Sequence, residues 1–581
     1  MTFSSAFAIG RSTLTAAQIG IQTTGNNVAN AATPGYSRQT VALAGISDAR
    51  WGGQFIGRGV EVQAIRRHVD QALQQRLWSS LSGENAAATD LRLLSGVETT
   101  LNALGDTNVG SQMSRFFNAW SELANAPGSQ ASKSVVVQQG AALAGYLRQI
   151  RADLVQQQTQ TDRELRAQVT RVNDLLGQIA QINSAVVTAE NGQGTAGALR
   201  DRRDQIVSEL AGYIDLTTIE QANGALDVLV GSTPVVLAGR SRGVEFRQRD
   251  QDGTILSDVV TLDRVEALNI RGGSVGSLLT QRDQLVGDTI ERLDRLSTHL
   301  IDRVNRIYSD GLSGQPMQRA TGTTQVRSAD YGLAFSDPAN QTFAAMKIRP
   351  ASGSFQITVE DPSGSRVTRT VTIDTDGITS AGTPGYANDT SINALVSVIN
   401  ALGIGATATM TGDGRFEVSV PTGYTLRFGE DSSGILSALG VNTFFQGQDA
   451  RDIAVRPELL TAPATLNAAR ITKAGAVDDA GVPRAIAQLR DATIAGLGGV
   501  TFASAWDETV QGVAVRTGAA RTSADSTRIV RESLEAQRSA VSGVSLDEEA
   551  INLVNFQRQY QAGARYISVL NEMTQTLLSL V

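Results

Sequence analysis

Gly192-Gln193-Gly194-Thr195-Ala196-Gly197 matches the glycine pattern with which a strand, a tight turn and a helix cradle a dinucleotide pyrophosphate. That chemistry needs a strand before the first glycine so that a helix N-terminus meets the phosphates, whereas the residues upstream carry helical spacing. A glycine break between two helices, with Thr195 near the next N-terminus, accounts for the motif. Asp374-Thr375-Asp376-Gly377 is a second candidate, because paired carboxylates serve acid–base chemistry or a hard cation. An EF-hand loop places glycine sixth and glutamate twelfth; neither fits, so a turn is expected. His299 lies close to an apolar stripe with no partner His or Cys and reads as structural. With no cysteine and two histidines far apart, thiol nucleophiles, disulfides, thiolate metal sites and the common zinc sets are excluded. No catalytic, cofactor-binding or metal-ligating residue is assigned; an enzyme using the glycine break or Asp374 with Asp376 stays as an alternative class.

The elements that would position such residues point to assembly instead. From Leu546 to the last residue, steps of three and four connect Leu546, Ala550, Leu553, Phe556, Tyr560, Ala564, Ile567, Leu570, Thr574, Leu577 and Val581, and only Thr574 is polar. A period near 3.5 is that of a coiled-coil seam, which asks for one or two partner helices; an ordinary C-terminal helix docked on a core is the other reading. Phe7, Gly10, Leu14, Ala17, Ile21, Thr24 and Val28 step the same way, so the first thirty residues supply a matching seam. The two ends are expected to pair.

A chain of 581 residues exceeds one core and divides into three or four domains. A net charge of −7 and a pI near 5.2 provide no electrostatic footing for nucleic acid. No basic and apolar leader opens the sequence, and no run approaches the roughly 18 apolar residues of a membrane span, so neither a membrane partner nor a cleavable signal peptide is expected.

After the first helix comes Asn26-Asn27-Val28-Ala29-Asn30-Ala31-Ala32-Thr33-Pro34-Gly35-Tyr36-Ser37-Arg38-Gln39, in which the asparagines suit a helix end and Pro-Gly a turn. Gln39, Val41 and Leu43 then alternate as a short strand, and Gly52, Gly53, Gly57 and Gly59 mark a loose connector. This segment resembles the N-terminal signature of the bacterial flagellar rod, hook and hook-associated proteins, and Ser37-Arg38-Gln39 is most similar to the hook-associated members. Ser542-Gly543-Val544-Ser545-Leu546-Asp547-Glu548-Glu549-Ala550, with Phe556-Gln557, Tyr560-Gln561-Ala562 and Thr576-Leu577-Leu578-Ser579-Leu580, resembles the C-terminal signature of the same family. Gly563 stands where that pattern commonly has a polar residue, and glycine costs about 1 kcal/mol in a helix interior.

The resemblance implies a secreted structural subunit of the flagellum that forms the first junction layer between hook and filament. It implies self-assembly through the terminal helices, contacts with the hook protein below and the second junction protein above, unfolded export through the flagellar channel, and a cytoplasmic chaperone on the C-terminal helix. The residues expected at the assembly interface are Phe7, Leu14, Ile21, Val28, Asn26, Asn27, Asn30, Pro34, Gly35, Tyr36 and Arg38 at one end, and Leu546, Leu553, Phe556, Tyr560, Ile567, Leu570, Leu577 and Val581 at the other. A hook or distal rod protein with the same ends remains an alternative.

Between the ends, Val69 to Leu104 reads as helix up to a break from Asn102 to Gly110, and Met113, Phe116, Phe117, Trp120 and Leu123 mark a buried helical face. From Ser132 to Glu190 the spacing predicts a helical run which, unbroken, would span roughly 85 Å and suit a rod. Arg200-Asp201-Arg202-Arg203-Asp204 reads as a solvated or interfacial face. Strands with turns at Asn223-Gly224 and Asp252-Gly253 occupy 214–263, a helix follows over 274–309, and 331–454 carries hairpin patterns and one short amphipathic helix. The expected fold is mainly α with β-rich parts: terminal coiled-coil helices (1–62 and 541–581), a discontinuous helical rod domain with β-hairpins (63–330 and 455–540), and an inserted β-rich domain (331–454).

Overall fold

The structure, a computed structural model, describes residues 3–579 apart from 52, 102–104, 192–193, 252–253, 314 and 472–475. Gly52, Asn102, Leu104, Gly192, Gln193, Asp252, Gly253, Leu580 and Val581, each named above, lie outside the described residues.

In chain order the helices are α1 (Phe3–Ala29), α2 (Gln71–Leu101), α3 (Val109–Asn125), α4 (Gln130–Glu190), α5 (Gly197–Tyr213), α6 (Gly273–Gln281), α7 (Asp288–Ser309), α8 (Gln341–Ala344), α9 (Ile392–Asn400), α10 (Ile435–Leu439), α11 (Pro457–Thr461), α12 (Gly481–Gln488), α13 (Phe502–Ser542) and α14 (Leu546–Ser579). The run that the spacing placed at 132–190 is one helix of 61 residues. A π-helical turn, Arg282–Gly287, joins α6 to α7 within the segment expected as one helix. The mainly helical fold with small sheets agrees with the expected class.

The chain forms two compact units, one of Met1–Leu94, Gln160–Asp283 and Thr517–Val581, the other of Ser95–Thr159 and Gln284–Arg516. In the first, β1 (Gln39–Gly45) pairs with β4 (Val60–Arg67), and between them β2 (Ala49–Trp51) and β3 (Gln54–Ile56) form a hairpin. A four-stranded antiparallel sheet runs β5–β6–β7–β8 (Thr217–Glu220, Leu226–Val230, Thr233–Leu237 and Arg240–Ser241), and β9 (Val244–Gln251) pairs with β10 (Thr254–Thr261). Asn183 of α4 holds that sheet: its amide donates to the carbonyls of Leu226 (2.7 Å) and Ala238 (2.6 Å), and its oxygen accepts from Leu226 N (3.0 Å). A fully buried Asn needs such complete pairing. Leu73 and Leu77 of α2 pack with Leu534 of α13.

In the second unit Asn108 caps α3, accepting from Ser111 N at 2.8 Å while the Ser111 hydroxyl accepts from Asn108 N at 3.0 Å. The aromatics expected on one face of α3 are buried: Phe116 and Trp120 sit edge to face, 6.3 Å apart, and both meet Phe444. Gly140 of α4 belongs to this core, since a Cβ there would lie 2.7 Å from the Phe444 ring. The strands β11 (Gly311–Ser313), β12 (Arg319–Gln325), β13 (Gly353–Glu360), β14 (Arg366–Ile373), β15 (Thr407–Met410), β16 (Arg415–Ser419) and β17 (Thr425–Gly429) follow. They include two three-stranded sheets, β14–β13–β17 and β12–β16–β15. The β13–β14 hairpin pairs Gly353 with Ile373 through Glu360 with Arg366, and Asp361 closes its turn by accepting from Ser363 N and Ser365 N. Apolar residues from Ala320 to Val441 form one core between these sheets, α9 and α10. His299 packs against Gly496, where a Cβ would lie 2.0 Å from its ring, and burial lowers its pKa.

Candidate assembly interface

α1 and α14 pair antiparallel within the first unit, and glycines set how closely they approach. A Cβ at Gly10 would lie 2.7 Å from Ile567, one at Gly20 2.5 Å from the Phe556 ring, and one at Gly563 3.2 Å from Leu14. These contacts descend along α14 as they ascend along α1, so the two seams run in opposite directions. Gly563, costly in an isolated helix, is buried against Leu14 and Thr13. Close approach on this side and the packing of α1 against β1 and β4 on another leave α1 with small buried residues: Ala6, Ala16, Ala17, Thr23 and Thr24.

At the end of α1 the Asn-rich motif becomes a set of hydrogen bonds. Asn30 N donates to Asn26 O (3.1 Å) and its side chain to the same carbonyl (3.0 Å), which closes the helix. Thr33 to Tyr36 form a turn, Tyr36 N to Thr33 O at 3.2 Å, with Pro34 fixing the second position and Gly35 at φ +81° in the left-handed region. The turn brings Tyr36 back so that its hydroxyl donates to Asn27 Oδ1 at 2.8 Å. Asn27, 1% exposed, also accepts from Gln39 N (3.0 Å) and donates to Gln39 O (2.8 Å) and Glu549 Oε2 (2.9 Å).

Glu549 is the other half of this junction. It lies in the first turn of α14, where the helix dipole favours a carboxylate, and it is almost fully buried. Arg38 Nε donates to Glu549 Oε1 at 2.8 Å and Nη1 pairs with Glu548 at 2.6 Å, while Arg38 N donates to Ser542 O at 2.9 Å. One arginine therefore bridges the end of α13 and the start of α14. A second layer continues from Ser37, whose N–H donates to Asp201 Oδ2 (3.3 Å), to Arg67, which pairs with Asp201 (2.7 Å) and Asp204 (2.5 Å). Burial raises the Tyr36 pKa to about 12, with the Asp201 and Glu549 charges adding to the effect, so the hydroxyl stays a donor. Burial likewise raises the Asp201 carboxyl above its ordinary value, against the pull of Arg67.

This corrects the reading of Arg200–Asp204 as a solvated or interfacial charge face. Asp201 and Arg203 are 8% and 1% exposed, Arg203 donates to Gly224 O at 2.6 Å, and Arg200 pairs with Glu190 at 2.7 Å. The chain around Thr195 is a break between helices; Glu190 occupies the start of α5 by accepting from Ala196 N at 2.9 Å. A carboxylate already stands where a phosphate would.

Of the residues expected at the interface, Asn27, Tyr36, Arg38, Leu553, Phe556, Ile567 and Leu570 come together in the α1–α14 junction or its polar end, with Phe7, Leu14 and Ile21 half-buried along α1. Asn26 and Asn30 close α1, and Pro34 and Gly35 make the turn. Val28, Leu546, Tyr560 and Leu577 are exposed, while Val581 lies outside the described residues. Arg67 and Gly20 carry no interface signal in the sequence; Asp201 and Asp204 stand there in a charged run and Glu549 in the C-terminal signature and the acidic first turn of α14, none of them as an expected interface residue. The outer side of α14 is apolar and uncovered, with Ile551, Val554, Val569 and Met573 between 44% and 62% exposed. No helix among the described residues is long and apolar enough to cross a membrane.

Three family models match in an order that follows this architecture: "Flagella basal body rod protein" over residues 7–36, "Flagellar hook-associated protein FlgK helical domain" over 94–320, and "Flagellar basal body rod FlgEFG protein C-terminal" over 536–580. The flagellar hook-associated protein 1 of Salmonella typhimurium is 24% identical over 98% of this chain and 98% of its own length; that of Bacillus subtilis is 24% identical over 98% and 96%. The chain resembles hook-associated protein 1 nearly end to end. Among solved structures, the flagellar hook junction protein FlgK from Burkholderia pseudomallei shares the fold, with a TM-score of 0.52 and 14% identity over 81% of this chain and 100% of that one. The matches support a structural component of the flagellar hook-associated class.

Proposed function

We propose that this chain is an axial subunit of the bacterial flagellum that builds the first junction layer between hook and filament. The observation that carries this reading is the unequal burial of α14: its inner side is closed by α1, while Ile551, Val554, Val569 and Met573 stand in solvent on a helix anchored at its start by Arg38 and Glu549. Apolar area presented on a positioned helix serves a protein partner. The partners proposed are further copies of the chain, the hook protein, the second junction protein and, before export, a cytoplasmic chaperone on the C-terminal helix. Copies adding side by side and end to end make heterologous contacts, which build rings or helical layers. The work is assembly, with no catalytic step and no cofactor, carried out in the flagellum outside the cell. A hook or distal rod role is disfavoured by the match of 94–320 to the hook-associated helical domain.

Deletion of the gene followed by electron microscopy of flagella tests this. Hooks without filaments, with filament protein shed into the medium, are the expected result. Loss of the hooks themselves would reassign the chain to hook or rod, and normal filaments would overturn the reading.

A further inference from the structure

The segment between β14 and α9 holds three carboxylates that the assembly role does not use. One oxygen each of Asp374, Asp376 and Asp389 lies within 4.8 Å of the others. Among the described residues no Lys, Arg or His forms an ion pair with any of them, so three negative charges converge without a protein counter-charge. Asp389 carries the decisive observation. It is 7% exposed, its Oδ2 accepts from Gly377 N (3.0 Å) and from the Ser336 hydroxyl, and its Oδ1 is buried with no hydrogen-bond donor. A buried carboxylate oxygen without a donor calls for a partner, and with two more carboxylates beside it a cation is the partner that also offsets their charge.

The chain around the carboxylates is built to hold them. Asp374 N donates to the Thr390 hydroxyl (2.9 Å) and Thr390 N to Asp374 O (2.7 Å), which ties the two ends of the loop together. Asp374 Oδ2 accepts from Asn388 (3.1 Å) and Asp376 Oδ1 from Ile378 N (2.8 Å), and each of these two carboxylates keeps acceptor capacity for an ion. Gly377 turns the chain at φ +68°, a conformation that side chains avoid.

We propose that Asp374, Asp376 and Asp389 bind a divalent cation, Ca2+ in preference to Mg2+, which pins this loop onto the inserted β-rich domain. Oxygen ligands alone, irregularly placed and completed by water, suit the larger ion; Mg2+ demands near-ideal octahedral geometry. Two of the three carboxylates reach solvent, so the affinity expected is that of extracellular calcium modules, on the order of 0.1–1 mM. The site is independent of the assembly interface, and its failure would leave the flagellar reading intact.

Tyr386 makes the site testable on the full chain. Its ring lies 3.5 Å from where a Gly377 Cβ would be, close enough to sensitise Tb3+ luminescence. Titration of metal-free protein with TbCl3 should give tyrosine-sensitised emission that CaCl2 displaces and that MgCl2 displaces at least tenfold less well. Asp376→Asn, at an exposed side chain that leaves folding unchanged, should weaken Ca2+ binding about tenfold or more and cancel the rise in melting temperature that CaCl2 produces. Tyr386→Phe should dim the emission while keeping that rise. Absence of Ca2+-displaceable emission, or unchanged affinity in Asp376→Asn, would overturn the site; equal displacement by MgCl2 would overturn the preference for calcium.

Discussion

The α3 core of the second unit and the α1–α14 pair of the first are both helix packings, yet they are built from opposite materials. Around α3, Phe116, Trp120, Tyr308 and Phe444 interlock edge to face and are sealed from water. Between α1 and α14 the contacts are glycine against ring and glycine against leucine, closed at one end by a buried Glu549–Arg38–Asn27 junction, and large apolar residues are left outside. The first arrangement spends its hydrophobic surface on folding. The second holds two helices in register by small residues and hydrogen bonds and reserves apolar surface for a partner.

The largest expected effect lies in the closed core. Trp120→Ala removes a fully buried indole and should cost about 3–5 kcal/mol, read as a lower urea midpoint. Trp120→Phe should recover most of that, because the indole N–H has no hydrogen-bond partner to lose. If Trp120→Ala cost under about 1 kcal/mol, the two regions would not differ in kind.

Next comes the polar end of the terminal pair. Glu549→Ala leaves Asn27 and Arg38 facing an apolar methyl at a buried position and should cost about 3 kcal/mol in the unfolding transition that includes α14. Glu549→Gln keeps acceptor capacity toward Asn27 and should cost about half as much. Hydrogen exchange at the first turn of α14 should rise in both variants, most in Glu549→Ala.

Asp310 sharpens the comparison through pH, since here burial outweighs the pull of the Arg470 charge, with which it forms no ion pair among the described residues. Burial raises its carboxyl to about 6, and the Asp431 charge adds to the effect, although Asp431 N donates to it at 3.1 Å. The folded state thus holds this proton more tightly than the unfolded chain, whose carboxyl titrates near its ordinary value of 3.8. Stability from this group is present below pH 4 and is lost as pH rises from about 4 to about 6. Asp310→Asn should flatten that slope and raise stability above pH 6 by about 2 kcal/mol, measured as urea midpoints from pH 4 to 8.

A smaller cost is expected at Gly20. Alanine favours a helix by about 1 kcal/mol, but its Cβ would meet the Phe556 ring at 2.5 Å, which forces α1 and α14 apart. A net loss of about 1 kcal/mol follows; a gain in melting temperature would show that the pair is loosely packed.

These differences explain what could be read before the structure. The helical spans, the β13–β14 hairpin and the aromatic face of α3 follow from periodicity, which reports burial by large apolar side chains. The phase of the terminal seam was less legible because glycines and a glutamate do much of the packing: Gly563 and Glu549 are buried where Ala564 and Ala550 were expected, and Tyr560 and Leu577, though in line with Ile567 and Leu570, stay exposed. Hydrophobic spacing cannot distinguish a side chain saved for another subunit from one used in the chain's own fold. The Asp201–Arg67–Ser37 contacts and the approach of Asp389 to Asp374 and Asp376 depend on tertiary proximity, to which local pattern is blind.

The smallest expected effect on the monomer is the most telling for function. Val569 and Met573 are one turn apart on the outer side of α14, 53% and 51% exposed, so changing both to Asp removes little buried area and creates no buried charge. Two like charges at that spacing cost the helix a few tenths of a kcal/mol, and surface substitutions stay within about 0.5 kcal/mol each. The melting temperature of the double variant should therefore match the parent within about 2 °C. In an assembled layer the same carboxylates would be pressed, unpaired, into apolar contact, at several kcal/mol per charge repeated at every subunit. Cells carrying the variant should export the protein yet fail to retain filaments, whereas Ile567→Asp, placed against Gly10 inside the pair, should lower monomer stability as well. Normal filament retention with Val569→Asp and Met573→Asp together would show that the uncovered side of α14 is not an assembly surface, and the contrast between a closed core and a reserved face would fall with it.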